Sequence, residues 1–113
     1  MEGLDEVIVL SREALDLRPQ GHPLRPSSLN NLAVDLATRH EQLRATEDLD
    51  EAIALVREAL ELCLQGHPDR SMSLNNSASY LCDRFTRSKQ LQDKEELFSL
   101  YAQLAHMPNC VFH

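Results

Sequence analysis

The sequence predicts an all-α fold, a solenoid of about five antiparallel helices, and three observations carry that expectation. Laid without a gap over residues 49–93, residues 4–48 are identical at 23 of 45 positions, so one unit has been duplicated. Within the unit, apolar residues recur at spacings of three and four, which gathers them on one stripe of a helix with charges opposite. Between stripes stands the same Gln-Gly-His-Pro, Gln20 to Pro23 and Gln65 to Pro68, a sequence that interrupts helices.

The elements follow in order. Residues 4–18 read as a helix equivalent to the second helix of a later unit, closed by Gly21 and Pro23; its own first helix is missing, which leaves an apolar flank uncovered. A helix over 27–42 carries Leu29, Leu32, Ala33 and Leu36. The third starts near Asp48, whose spacing to Glu51 is that of a capping box, runs through Leu49, Ala52, Ile53, Val56, Ala59 and Leu60, and ends at Gly66 and Pro68. The fourth spans 71–88 with Leu74, Ala78 and Leu81. The fifth starts near Asp93, where Glu96 repeats the capping spacing, and opens a fading third copy in which Phe98 and Leu100 stand where Ile53 and Leu55 stood. There Leu97 and Leu104 replace Ala52 and Ala59, so residues 94–107 read as a helix that caps the stack. The division is one domain over 1–107, with a half unit at 4–26 and units from 27 and 72, then a tail at 108–113.

Composition narrows the function. With 42% hydrophobic and 26% charged residues the chain has a soluble globular profile, and 113 residues fit one domain. The net charge of -7, without a basic stripe, gives nucleic-acid binding no electrostatic basis. No stretch approaches the roughly 18 to 20 apolar residues of a membrane span, and the acidic start Met1 to Glu6 lacks a signal peptide's features, so the expected compartment is the cytosol. Cys63, Cys82 and Cys110 fit no metal-ligand spacing and read as reduced thiols, two of them packed between helices.

The run from Leu29 to Leu64 resembles a tetratricopeptide repeat. Leu29 takes the first large consensus position, Leu32-Ala33 the Leu-Gly pair, Leu36 the Tyr position, Ala52 and Ala59 the two small positions of the second helix, and Leu64 the closing Pro, which Pro19 keeps one unit earlier. The longer unit, with Gly-His-Pro ahead of Ser-Leu-Asn-Asn-Leu-Ala, is similar to the kinesin light chain variety and to the tandem units of large fungal multidomain proteins. Ser77 departs from the pattern where Leu is expected, which predicts looser packing of the second unit. The resemblance implies a right-handed superhelix that binds a peptide or helix on its concave face, with no cofactor.

The positions it implies for peptide contact lie on the first helices: Ser27, Asn30, Asn31, Val34 and Thr38 in one unit, and Met72, Asn75, Asn76, Ser79 and Asp83 in the next. An Asn amide both donates and accepts, so it can hold an extended backbone whatever its side chains; the alternative is that one Asn of each pair bonds within the array. The recurring Arg39 and Arg84 read as solvated or intrahelical charges rather than as captors of an acidic peptide. His22 and His67 each stand alone in a loop and read as loop-structuring rather than metal-binding. The sequon at Asn75-Asn76-Ser77 falls inside a predicted helix and is discounted.

No nucleophile and base, paired carboxylates or metal cluster is legible, so the expectation is a binding protein and not an enzyme. Its partner is then a protein or peptide, neither nucleic acid nor membrane. The alternative is a self-associating or sensor segment of a larger fungal signalling protein, with the uncovered N-terminal helix as the route to a homodimer.

Overall fold

A computed structural model of the chain describes residues 2–63, 67 and 69–105. They form five α-helices: α1 (Glu2–Asp16), α2 (Arg25–Leu43), α3 (Thr46–Leu62), α4 (Arg70–Ser88) and α5 (Leu91–Ala105). No strand occurs among the described residues.

The ends of the helices have local causes. α1 stops at Asp16, ahead of Pro19, whose ring disfavours helical backbone at Arg18. Gly21, expected to close α1, lies farther on in the loop and supplies its left-handed turn at φ 91°. The expected closing residues Gly66 and Pro68 lie outside the described residues, as do Leu64 and the tail 108–113. α2 starts around Pro26, which needs no amide partner there, and ends where Arg44 turns left-handed at φ 59° and donates its N–H to the His40 carbonyl. Lys89 closes α4 in the same way, donating to Phe85.

α3 and α5 each begin two residues before the capping pattern predicts. Ala45 precedes α3 and offers no side-chain cap. Asp48 and Asp93 are not caps: both are buried, and both carboxylates are taken by arginines from the preceding helix. That claim on the carboxylates outweighs the local capping bond, because a bidentate pair with Arg is the stronger hydrogen bond.

Each helix packs on the next in sequence, and α2 also touches α4. The second helices of the units behave differently: no Cα of α1 comes within 8 Å of α3, and none of α3 within 8 Å of α5. One core runs through the molecule, with Leu32, Leu36, Leu49, Ile53, Leu74, Leu81 and Leu104 all buried. Between α2 and α4 the seam is small and polar. Asn30 Nδ2 donates to Ser73 Oγ at 2.9 Å, and Ser77 is fully buried beside Ala78. The Ser77 hydroxyl finds no hydrogen-bond partner, so the expected weak point of the second unit is an unsatisfied polar atom at a leucine position.

Because the backbone of α1 comes close to no helix but α2, and that of α5 to none but α4, the two ends reveal which side of a second helix faces which neighbour. Ile8 is 3% exposed and Ser11 Oγ bonds Asp35, so positions 8 and 11 of α1 face the following first helix. Leu97, Leu100 and Leu104 are buried on α5, so those positions face the preceding one. The forward side of α5 is open: Phe98 is 65% exposed, while its counterpart Ile53 is 0% exposed. The capping expectation for this helix is corrected accordingly, since a cap turns a polar face outward and this one shows two aromatic rings, Phe98 and Tyr101.

Candidate functional site

The charged residues that recur between units are structural. Arg39 clasps Asp48 with Nε and Nη2, both at 2.8 Å, and reaches Asp5 of α1 with Nη1 at 3.2 Å. One unit later Arg84 clasps Asp93 at 2.9 and 2.8 Å and reaches Asp50 at 3.1 Å. These arginines are therefore only partly solvated and bond outside their own helices; each ties three consecutive helices. The hydrogen bonds from Arg39 hold the Asp48 carboxyl below the ordinary Asp range, against the opposing effect of its burial.

A second set of ties crosses the gap between second helices. Arg12 bonds Glu51 through both terminal nitrogens, and Arg57 bonds Glu96. Within each helix pair, Arg25 at the start of α2 bonds Glu58 of α3, and at the equivalent place Arg70 of α4 bonds Gln103 of α5. The loop histidines match their expected role: the N–H of Leu24 donates to His22 Nδ1 and that of Asp69 to His67 Nδ1, each at 3.0 Å.

With these roles assigned, the sequence-predicted contact positions separate into two groups. Asn31, Val34, Met72 and Ser79 are exposed on α2 and α4, and Ser27 is half-buried. Asn76 is half-buried, and its Nδ2 is enclosed without a hydrogen-bond partner. The other four positions are placed differently. Asn30 is 1% exposed and spends its amide nitrogen on Ser73, so it belongs to the α2–α4 seam. Asn75 has the same register on α4, which places it on the side away from α2, where it is exposed. Thr38 Oγ1 donates to the carbonyl of Val34 in its own helix. Asp83 accepts from Arg87 at 3.1 Å and stands 3.5 Å from His40 Nε2.

His40 was not legible as a special residue, because it occurs in one unit only; Phe85 stands at its place in the next. Its ring is buried, and Nδ1 lies 3.0 Å from the Ala45 carbonyl, which can only accept, so Nδ1 carries the hydrogen. Nε2 then faces Asp83 without hydrogen-bond geometry, which makes the 3.5 Å contact a proximity and not a bond.

Of the three thiols, two lie among the described residues. Cys63 is buried, and burial pushes its thiol upward from the ordinary Cys value, the setting of an inert thiol. Cys82 is exposed, and Cys110 lies outside the described residues. Tyr80 is buried as well, and the loss of solvent pushes its phenol up to about 12.

Two further apolar surfaces flank the stack. On the rear side of α1, Val7 and Leu10 occupy positions that are buried at 97 and 100 of α5, and Leu10 is 63% exposed. Asp5, Glu6, Val9 and Leu10 line a shallow open depression of about 400 Å³ there. On the forward side of α5 lie Phe98 and Tyr101.

Among the described residues no cluster of three or more His, Cys, Asp or Glu is placed to hold a metal ion, and no helix is long and apolar enough to cross a membrane. Comparison with family models, with curated proteins and with solved structures returned no match.

Proposed function

We propose that the chain is a protein-interaction module of tetratricopeptide type, which holds an extended peptide or a helix across the faces of α2 and α4. The observation that carries this reading is Asn76. Its Nδ2 is a buried donor without a partner, on a helix face whose neighbours Met72 and Ser79 are exposed. An unpaired buried donor costs about 1 to 3 kcal/mol, and a peptide carbonyl seated on this face removes that cost. Asn31 and Val34 on α2 extend the same chemistry, an amide beside an apolar contact. The spacing of the helices favours the reading too. α2 touches α4 while the second helices stand apart, which bends a stack so that its first helices line the inner side. A cytosolic setting goes with it.

The test is a displayed random-peptide library selected on the chain. Peptides that occupy this face lose about tenfold or more in affinity, roughly 1.4 kcal/mol, when Asn31→Ala and Asn76→Ala are combined. Selected peptides that bind the double variant as tightly as the parent sink the proposal.

A second reading, self-association as part of a larger signalling protein, rests on the rear flank of α1, where Val7, Val9 and Leu10 are exposed together. Light scattering at high concentration decides it. A mass that halves on Leu10→Glu supports a dimer through α1; a monomer at every concentration removes it.

A further inference from the structure

We infer that His40 and Asp83 form a proton-controlled latch across the α2–α4 seam, open while the imidazole is neutral and closed when it is charged. The two helices meet in one register: Asn30 pairs with Ser73, and His40 stands opposite Asp83 at the same offset of 43 residues. Of these two contacts only the first is a hydrogen bond.

The protonation state of the ring keeps the second contact open. Nδ1 gives its hydrogen to the Ala45 carbonyl, so a neutral ring turns the lone pair of Nε2 on a carboxylate, and two acceptors 3.5 Å apart have no hydrogen to share. Nε2 is enclosed without a partner, in a side chain 2% exposed. A proton taken up there makes Nε2 a donor, and a charge-assisted bond of about 2.8 Å forms once the Asp83 side chain, 38% exposed, closes the gap. The carboxylate is already aimed, because Arg87 on α4 holds Oδ1 at 3.1 Å and leaves Oδ2 toward the ring. The other charges near the ring are occupied: Asp48 of α3 is clasped by Arg39, which also takes Asp5 of α1.

The repeat gives independent support. Phe85 stands at the place of His40 and Thr38 at the place of Asp83, so the two units differ at both positions that meet here, whereas the Arg39–Asp48 and Arg84–Asp93 clasps keep their residues. Neither counterpart carries a charge. The sign of the effect follows from a group that the fold holds in its charged form. The latch contributes fully below about pH 6.5, where imidazole carries its proton, and is lost as pH rises past that range; below about 3.9 Asp83 is itself protonated and the anion disappears. The latch needs no peptide on the α2–α4 face.

The test is a double-mutant cycle on the full chain with the other unit's residues, His40→Phe and Asp83→Thr, read by urea unfolding near pH 5.5 and near pH 8. Threonine suits the place, since Thr38 bonds within its own helix. The expected coupling is about tenfold in the unfolding equilibrium constant at the lower pH and less than about twofold at the higher. Imidazole nitrogen resonances of the parent chain give a readout that needs no variant: His40 should show a slowly exchanging Nε2–H near pH 5.5 and none near pH 8. Equal coupling at both pH values, coupling that weakens in acid, or a His40 ring that gains no Nε2 hydrogen until the chain unfolds overturns the inference.

Discussion

Arg84 and Asp93 are joined by two parallel hydrogen bonds of 2.9 and 2.8 Å, and Asp93 is 1% exposed. The carboxylate is thus out of water and depends on one guanidinium. Arg84→Ala strands it, and the expected loss is about 2 to 4 kcal/mol, below the full cost for a wholly buried pair because Arg84 itself keeps some solvent. Urea denaturation of Arg84→Ala, and of Arg84→Ala with Asp93→Asn, measures it. The double variant recovers part of the loss, since no charge remains buried; an equal loss in both refutes the account.

Acid should open the equivalent clasp one unit earlier. Hydrogen bonds from Arg39 lower the folded-state pKa of Asp48 below its unfolded value. The sign follows: the unfolded chain takes up the proton first, so the clasp's stabilisation is complete above an unfolded pKa of about 3.9 and is lost as pH falls through the lower, folded value. Urea midpoints measured down through the acid range should fall less steeply for Asp48→Asn than for the parent. Parallel acid limbs contradict the assignment.

The duplicated asparagines offer an internal comparison. Ser73→Ala removes the partner of buried Asn30 Nδ2 and is expected to cost about 1 to 3 kcal/mol. Asn75→Ala alters the same register at an exposed place and should stay within about 0.5 kcal/mol. Thermal melts of the two variants decide it, and similar losses in both would show that the seam is not what holds Asn30.

Thiol labelling should separate the cysteines. Cys82 is exposed and reacts in the native state, whereas Cys63 is buried with its thiol pushed upward. In a Cys82→Ser, Cys110→Ser variant, reaction with a disulfide reagent should follow the rate of unfolding. Rapid native-state labelling of that variant overturns the buried assignment.

How much of this was legible in the sequence depends on what each residue answers to. Helix number and the first-helix limits follow from periodicity and were readable, because Leu29, Leu36, Leu74 and Leu81 repeat on one face. Asp48 misled, since a local capping pattern competes with Arg39, a partner nine residues away that only the folded turn brings within reach. Asn30 and Asn31 are adjacent and identical, so composition cannot say which one enters the seam; the packing of α4 on α2 decides it. Asp83 could not be read as occupied, because His40 and Arg87 reach it from two helices and neither recurs in the other unit. Phe98 was matched to Ile53 correctly, yet its exposure depends on what stands beside α5, a fact that lies outside its own unit.

That α1 packs its backbone on α2 alone and α5 on α4 alone, each tied to α3 only through the Arg12–Glu51 and Arg57–Glu96 ion pairs, bears on how the molecule comes apart. A helix with one neighbour can leave while the rest stays ordered, so cooperativity is graded along the chain. Amide exchange is expected to be fastest in α1 and α5 and slowest in α2, α3 and α4, whose side chains close around Leu36, Ile53 and Leu74. A single unfolding free energy then describes the three middle helices. The outer two answer to a local equilibrium of their own, which any helix bound at either flank would draw into the common transition.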